Sequence, residues 1–232
     1  MPSYVTTGGS RSLGSCYEII FMKQISNDPA NTDIGIDPNK PLIFHQWINL
    51  MALGLRESNV PFIAWSQQPQ VLSDKFHKST EVNVLANIYL YNLFLPQILK
   101  GSVKNVVRIT SGIADIDWIN NYEIEELAVN AMSKAALNVV TAKFSAQYKR
   151  EGVLFLSVCP GLVDTGHFVE RTQTRLEVIM ARFGKYSLSF KGPITPTESV
   201  EAILSVVDNS SIRKGGGRFL SHFGNRQWLQ DI

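Results

Sequence analysis

The chain lacks the charge pattern of a nucleic-acid-binding protein. Its 22 Lys and Arg residues are nearly balanced by 20 Asp and Glu residues and form no basic cluster, so the net charge is +2. Because proteins that bind nucleic acid usually present a basic patch, no nucleic-acid partner is expected. With 44% hydrophobic residues, the 232-residue chain can build the core of one ordinary domain, and a small molecule is the expected ligand.

Cysteines and long apolar runs are also scarce. The two cysteines, Cys16 and Cys159, are far apart in apolar patterns, which predicts buried thiols in a reducing cytoplasm rather than a disulfide. Polar residues interrupt the apolar stretches at 41–55 and 83–99, so no membrane span is predicted. The first predicted strand begins almost at the amino terminus, which leaves no room for a signal peptide. No metal site is predicted.

What the chain does contain is an alternation of short β-branched runs and longer helical patterns. This alternation is typical of a parallel sheet covered by helices on both faces, so the predicted fold class is α/β, with residues 1–232 in a single domain. The predicted strands lie near 3–7, 32–37, 60–65, 105–110, 154–159 and 217–221. The predicted helices lie near 12–26, 41–56, 72–99, 126–150 and 197–208.

The helix predicted over 126–150 carries a stripe of small residues. Such a stripe permits close packing on a sheet or on a second copy of the helix, which predicts a core helix and a candidate homodimer interface. The stripe consists of Ala128, Ala131, Ala135, Val139, Ala142 and Ala146.

A glycine-rich loop follows the first predicted strand. Residues 7–14 read Thr-Gly-Gly-Ser-Arg-Ser-Leu-Gly and stand between a strand and a helix, where such a loop can cradle a dinucleotide pyrophosphate at the helix N-terminus. The alternative is a glycine turn that only joins the two elements. The candidate cofactor-binding residues here are Gly8, Arg11, Ser12, Leu13 and Gly14.

The residues leave the choice between NAD and NADP open. Asp37, at the end of the second predicted strand, can accept hydrogen bonds from ribose hydroxyls and repel a 2′-phosphate, which favours NAD. Arg11 can pair with that phosphate, which favours NADP. Asp37 has an alternative as a solvated turn residue before Pro38.

Three later segments also carry polar residues in suggestive places. The strand that begins at Val106 ends in the hydroxyls of Thr110 and Ser111. The run Pro-Gly-Leu-Val-Asp-Thr at 160–165 follows another predicted strand, and Asn83 lies within a predicted helix. For Ser111 the alternative is a strand-end cap, and for Asn83 the alternative is simple packing.

These motifs, in this order from Pro2 to about Trp228, resemble the short-chain dehydrogenase/reductase family, and most closely its fungal members. The resemblance implies a doubly wound Rossmann sheet, NAD or NADP as cofactor, and hydride exchange between a carbonyl and an alcohol, with secondary metabolism as an expected setting. In that family Ser111 would hydrogen-bond the substrate oxygen and the Asn83 main chain would hold a water of the proton relay. The Val163 main chain would meet the nicotinamide carboxamide, and Thr165 would meet a phosphate.

The chain departs from the family at its proton donor. The family carries Tyr-x-x-x-Lys, and this chain has Asn130 four residues before Lys134, on the same helical face. An amide cannot ionise near neutral pH, so the site is degenerate and Asn130 cannot replace the phenol as an acid. Tyr122 and His167 are weak candidates for the missing group, since Tyr122 lacks a lysine partner and a lone loop histidine is usually a surface residue.

A second departure is a missing segment. The family's Asn-Asn-Ala-Gly strand has no counterpart between Asp37 and Asn83, an interval about one β–α unit too short, so the sheet is predicted to be truncated. Evolutionary loss and an incorrectly spliced gene model both fit. The run at 60–65 is predicted, narrowly over an edge position, to fill the vacant slot beside the first strand, with Trp65 or Ser66 at the cofactor cleft.

Three functions therefore remain open. The protein is a working oxidoreductase that has replaced the tyrosine, or it is a catalytically impaired relic or non-redox enzyme that uses the old pocket. The third alternative is a non-catalytic partner of an active paralogue, with the helix at 126–150 as its interface.

Overall fold

The structure, a computed structural model, describes residues 4–5, 61–101, 104–164, 184 and 190–229. These residues contain a parallel four-stranded sheet in the order β1-β2-β3-β4, which confirms the α/β fold class. Its strands are β1 (Tyr4–Val5), β2 (Asn105–Ile109), β3 (Leu154–Cys159) and β4 (Phe219–Ser221). The strands predicted around them are confirmed, although the last one begins later than expected. The strand predicted at 32–37 and the helices at 12–26 and 41–56 lie outside the described residues.

Helices connect and cover these strands. The helix predicted at 72–99 runs from residue 69 to 100 and contains a π-helical segment, and the helices predicted at 126–150 and 197–208 are confirmed to within a few residues. One short helix, α3, was not predicted. The helices are α1 (Pro69–Thr80), the π-helical segment (Glu81–Leu85), α2 (Ala86–Lys100), α3 (Ile116–Tyr122), α4 (Ala128–Tyr148) and α5 (Pro196–Asp208).

The prediction of a strand at 60–65 is wrong. Residues Phe62–Trp65 form a 3₁₀ turn in which the Ala64 N–H donates to the Pro61 carbonyl at 3.1 Å. The prediction that this run fills the central slot is also wrong, because β1 pairs directly with β2, Tyr4 opposite Asn105. Direct pairing satisfies the polar groups along that side of β1, whereas a strand containing Pro61 would lack one ladder donor.

The two faces of the sheet are covered by different helices. On one face α5 packs Val200 and Ile203 against Leu156 and Val158 of β3 in an apolar cluster. On the other face α2 and α4 pack aromatic rings on Phe155, with the Tyr91 and Phe144 centroids 5.5 and 5.6 Å from its own. Each such ring pair contributes about 0.5–1.5 kcal/mol beyond its buried area.

The small-residue stripe of α4 does not face the sheet as a unit. The buried residues of the helix body are Ser133, Leu137, Thr141 and Ser145, which recur every four residues, whereas Val139 is 59% exposed. Ala142 and Ala146 are also exposed. The close approach to the sheet is made by the neighbouring stripe of hydroxyl residues and Leu137, so α4 is a core helix as predicted, and packing of the small-residue stripe on a second copy of the helix stays a prediction.

The span Pro69–Lys100 is long and apolar enough by composition to cross a membrane, with a mean hydropathy of 1.3 in its most apolar window. The polar residues were expected to make this stretch unsuitable for a membrane span, and the length and composition of the stretch contradict that expectation. In the structure one side of the span packs in the protein, where Asn83 and Asn87 are buried with hydrogen bonds to protein atoms. A core helix passes the same test of length and composition.

Candidate active site

The carboxyl ends of β2 and β3 lie side by side because the strands are parallel neighbours in register, Ile109 opposite Val158. Ser111 follows β2 with an extended backbone, φ −149° and ψ 141°, and precedes a short 3₁₀ turn. Its side chain makes no cap hydrogen bond to that turn, which argues against the alternative of a strand-end cap. Half-buried at the edge of the sheet, the Ser111 hydroxyl is placed to meet a ligand.

Asn130 and Lys134 lie in the first two turns of α4, and their spacing of four residues puts them on one face of the helix. Both side chains are half-buried. The helix begins after Leu127, which has a left-handed backbone with φ 57° and no side-chain cap. A non-glycine residue in this conformation stores strain of about 1–2 kcal/mol, and such strain often lies beside functional residues.

Among the described residues, Arg108 is the charged group that most affects Lys134. Burial, and after it the nearby Arg108 guanidinium, lower the pKa of Lys134 to about 7. Arg108 is 2% exposed, and burial lowers its pKa as well. Cys159 acts in the opposite direction and raises the pKa of Lys134, and burial raises the pKa of the Cys159 thiol itself. Neither Arg108 nor the role of Cys159 was predicted, although a cation inside the apolar run Val-Val-Arg-Ile was an available signal.

Asn83 lies in the π-helical segment and ties it to α4. Its Nδ2 donates to Ser133 Oγ at 3.0 Å and to Ser79 Oγ at 3.3 Å. Its main-chain carbonyl accepts a hydrogen bond from Asn87 Nδ2 at 2.9 Å, so the buried Asn87 amide occupies one position at the oxygen expected to hold a relay water. Asn83 thus fixes the helix turn that carries Lys134. Asn87 was not predicted as a site residue.

Val163 lies after β3 in a short parallel pairing with Ile194. That pairing uses the Leu162 carbonyl and the Asp164 N–H, with distances of 2.8 and 2.9 Å to Ile194. The N–H and C=O of Val163 itself therefore point away from Ile194. This orientation fits the expectation that the Val163 main chain meets a carboxamide, which needs one donor and one acceptor.

Cys159 joins the two turns at the carboxyl edge, and the C-terminal segment covers them. Cys159 Sγ accepts a hydrogen bond from the Gly112 N–H at 3.1 Å and another from the Gly161 N–H. A Cβ at Gly112 would lie 2.9 Å from Trp228, and one at Gly161 would lie 2.7 Å from the His222 ring. These contacts explain both glycines: a side chain would displace the segment that closes this edge. His222 and Trp228 were not predicted as site residues.

Tyr122 lies at the carboxyl end of α3. Its ring packs edge-on against Trp118 at 6.2 Å and lines a cavity of about 280 Å³ with Asp115 and Arg226. Asp115 caps α3 by accepting from the Trp118 N–H at 2.9 Å, and it also binds Arg226, whose pKa it raises. This packing gives no support to Tyr122 as the replacement proton donor.

The remaining candidate residues lie outside the described part of the chain. They are Gly8, Arg11, Ser12, Leu13, Gly14, Asp37, Thr165 and His167. Of the described candidates, Ser111 follows β2 and Val163 follows β3, Lys134 lies near Cys159 at the end of β3, and Asn83 is hydrogen-bonded to the neighbour of Lys134, Ser133. The role of each, like the pyrophosphate loop, stays a prediction.

Comparison with known proteins places this arrangement among oxidoreductases. A sequence model of the short chain dehydrogenase family matches residues 59–176. The short chain dehydrogenase virK of Hypocrea virens is 36% identical over 275 aligned positions, which cover 99% of this chain and 100% of virK. The short-chain dehydrogenase/reductase iacC of Pestalotiopsis fici is 35% identical over 276 positions, with 99% and 100% covered. Both alignments are longer than the 232-residue chain, so these relatives contain stretches with no counterpart in it.

Solved structures show the same fold. A 4-hydroxyisoleucine dehydrogenase complexed with NADH superposes with a TM-score of 0.61 at 17% identity, covering 98% of this chain and 99% of that protein. An NADPH-bound carbonyl reductase from chicken fatty liver gives a TM-score of 0.52 at 24% identity over 66% of this chain and 56% of that one. At these identities the likeness establishes the Rossmann-type sheet.

Proposed function

This chain belongs to the short-chain dehydrogenase family, and from that premise we propose that it is an NAD(P)-dependent oxidoreductase that exchanges a hydride between a carbonyl and an alcohol. One observation carries the proposal: Ser111, Lys134 and Val163 lie around the adjacent carboxyl ends of β2 and β3. In a doubly wound sheet this is the edge at which ligands bind. The fungal relatives virK and iacC support secondary metabolism as the setting.

The described residues fit a dinucleotide on the nicotinamide side. The outward N–H and C=O of Val163 suit the carboxamide, and Lys134, which lies near Cys159 at the end of β3, would serve as a donor for ribose hydroxyls. When bound, the cofactor supplies or accepts the hydride. NAD and NADP remain alternatives, because Asp37 and Arg11 favour opposite answers.

The chain's own groups then have distinct tasks. Ser111 donates a hydrogen bond to the substrate oxygen and polarises the carbonyl, and Asn130 adds a neutral amide that can donate to the same oxygen. Neither group transfers a proton easily at neutral pH, so water supplies it. Loss of a positioned general acid lowers a rate by about two to four decades, and we propose a slow enzyme for that reason. Cys159 bridges the turn after Ser111 and the turn before Val163 and holds the two turns together.

The catalytically impaired relic, the non-redox enzyme and the non-catalytic partner remain the alternative proposals, since Asn130 removes the acid. The outer face of α4 supports a homodimer through this helix, because Met132 and Val139 are exposed there at 41% and 59%. We further propose one domain over residues 1–232 in the cytoplasm, a setting consistent with the buried free thiol of Cys159.

Cofactor binding is the first test. Separate calorimetric titrations with NADH and NADPH should each be run on the native chain and on Lys134→Ala, with Lys143→Ala, an exposed lysine of the same helix, as the control. We expect saturable binding of at least one cofactor, weakened by Lys134→Ala and unchanged by Lys143→Ala. No binding at roughly 1 mM, the upper end of ordinary KM values, would contradict the oxidoreductase.

Hydride transfer is the second test. The native chain is incubated with cofactor deuterated at nicotinamide C4 and a panel of small ketones, and the alcohols are analysed by mass spectrometry. Deuterium at the carbinol carbon supports the reaction, and Ser111→Ala should slow its appearance. Cofactor binding without deuterium transfer to any ketone would favour the non-redox alternative.

A further inference from the structure

Lys134 lacks the ionisable phenol that the family carries one helical turn before it. The residue one helical turn before it is Asn130, whose amide carries no charge. The groups that act electrostatically on the ammonium are Arg108 of β2, which repels it, and the Cys159 thiol of β3, which is itself buried and held in its protonated form. Among the described groups that perturb Lys134, none is a carboxylate.

Arg108 lies under α4 on the same face of the sheet. Its side chain is 2% exposed, and its strand neighbour Val106 packs in the cluster with Tyr91 and Phe155 that α2 and α4 cover. Because side chains alternate along a strand, Arg108 points to that face as well. Two cations therefore share one poorly solvated layer, the arrangement that converts a lysine ammonium into a neutral, nucleophilic amine.

Unpartnered hydroxyls line the same layer. Ser157 lies opposite Arg108 in the neighbouring strand, so the two side chains point to the same face of the sheet. Thr110, two residues after Arg108, points to that face as well. They are 1% and 3% exposed, and within the described residues neither hydroxyl has a hydrogen-bond partner. Buried polar groups in native proteins are nearly always satisfied, so these two point to a polar ligand in the layer.

We propose that Lys134 is a covalent site for aldehydes and ketones, which it binds as an imine. The neutral Nζ attacks the carbonyl carbon, and the resulting carbinolamine loses its oxygen as water, so that the N–C single bond becomes C=N. Lys134 is half-buried rather than fully enclosed, so part of its surface remains accessible to a small carbonyl compound. Hydroxyls such as Thr110 and Ser157 suit the carbinolamine oxygen. The step requires no cofactor and is independent of hydride transfer by the oxidoreductase.

The lowered pKa of Lys134, about 7, agrees with this geometry. An ordinary lysine with a pKa of about 10.4 is almost wholly protonated at neutral pH, whereas about half of the Lys134 amine is neutral there. The sequence carries a matched comparison on the same helix, the exposed Lys143.

The test is reductive trapping on the full chain without NAD(P). Acetone or benzaldehyde is added at neutral pH with cyanoborohydride, which delivers a hydride to the imine carbon, and the labelled lysines are located by peptide mass spectrometry. Each trapped probe adds its own mass less one oxygen atom. We expect trapping at Lys134 at least about tenfold faster than at Lys143, given the difference in neutral amine. Lys134→Arg, which keeps the charge, should remove that label, and Lys143→Arg should not.

A second measurement keeps the proposal falsifiable if substitution perturbs folding. The labelling rate of Lys134 in the native chain should reach half of its plateau near neutral pH, and Arg108→Met should move that midpoint upward. Equal labelling of Lys134 and Lys143, or undiminished trapping in a folded Lys134→Arg protein, would overturn the proposal. Protection of Lys134 by added NADPH would locate the imine and cofactor sites together. Failure of NADPH to bind would contradict the oxidoreductase proposal and would leave the imine proposal unaffected.

Discussion

The two faces of β3 differ chemically although alternate residues of one strand supply them. Leu156 and Val158 point to α5 and join a cluster of apolar side chains. Ser157 and Cys159 point to α4, towards Arg108 and Lys134. We call these the α5 face and the α4 face. The comparison separates two tasks: the α5 face supplies stability through burial, and the carboxyl end of the α4 face tolerates costly polar groups because they form the candidate site.

The α4 face is itself divided along the strand direction. Its amino-terminal half holds the aromatic cluster around Phe155, and its carboxyl-terminal half holds the Asn83–Ser133 hydrogen bond and the two cations. The aromatic rings exclude water and lower the local dielectric response, which strengthens the electrostatic effects beside them. Stability and chemistry thus meet within one layer on this side of the sheet.

The largest effect should come from truncating the α5 face. Leu156→Ala removes a fully buried side chain between β3 and α5 and should lower the free energy of unfolding by about 2–5 kcal/mol. Ser157→Ala, the adjacent residue on the α4 face, should change it by less than about 0.5 kcal/mol, because its hydroxyl has no partner within the described chain. Urea unfolding measures both. Equal losses would mean that the faces do not differ as stated.

Lys134→Met should stabilise the α4 face in a pH-dependent way. The pKa of Lys134 is about 7 in the folded chain and about 10.4 when unfolded. Below pH 7 the folded lysine is charged and its full penalty applies; as the pH rises towards 10.4 the folded state releases a proton that the unfolded state keeps, and the penalty disappears.

Relative to the native chain, the Met variant should therefore gain on the order of a few kcal/mol near pH 6, and this gain should shrink towards pH 10. Urea unfolding across this pH range measures it, with Lys143→Met as the control on the same helix. A gain that grows with pH would contradict the assigned surroundings of Lys134.

Asn130→Tyr restores an acid to the α4 face. Because Lys134 lies one turn away on the same helical face, the phenol should raise ketone reduction by at least about tenfold, or 1.4 kcal/mol of barrier, provided that cofactor binds. Met132→Tyr, on the exposed side of α4, is the matched control. An unchanged rate in a variant that binds cofactor would show that the absent phenol is not the only lesion.

The smallest effect concerns the amino-terminal end of α5. Thr195 and Glu198 form a capping box, with Glu198 N–H donating to Thr195 Oγ1 at 3.2 Å and Thr195 N–H donating to Glu198 at 2.7 Å. Thr195→Ala should lower stability by about 1 kcal/mol. Thr197→Ala, exposed in the first turn, should have less effect. A larger loss of stability from Thr197→Ala than from Thr195→Ala would show that the capping box does not stabilise α5 as stated.

Local patterns predicted much of this structure. The apolar run at 154–159 became β3 without a change of bounds, and the periodic segment at 126–150 became α4 to within two residues at each end. The spacing of Asn130 and Lys134 placed them on one helical face for the same reason, since four residues are about one turn. Ser111 also lies at the end of a buried strand, as predicted.

Predictions from local patterns were wrong where long-range contacts favoured a different arrangement. The apolar run at 60–65 suited a strand, yet β1 found its partner in β2 and left this run to form a turn after Pro61. The small residues of α4 could have packed on the sheet, but the residues buried in the body of the helix are Ser133, Leu137, Thr141 and Ser145. In each case the sequence offered several apolar sets, and the available neighbour decided between them.

By itself the sequence determined the α/β class, the order of the motifs and the loss of the family's tyrosine, because each depends on residue types and short spacings. Only the tertiary structure decided the surroundings of Lys134. Arg108 and Cys159 are distant from it along the chain, and only the packing of α4 on β2 and β3 brings a cation and a thiol to the same amine. Electrostatic effects depend on distance and burial in space, which spacing along a chain does not record.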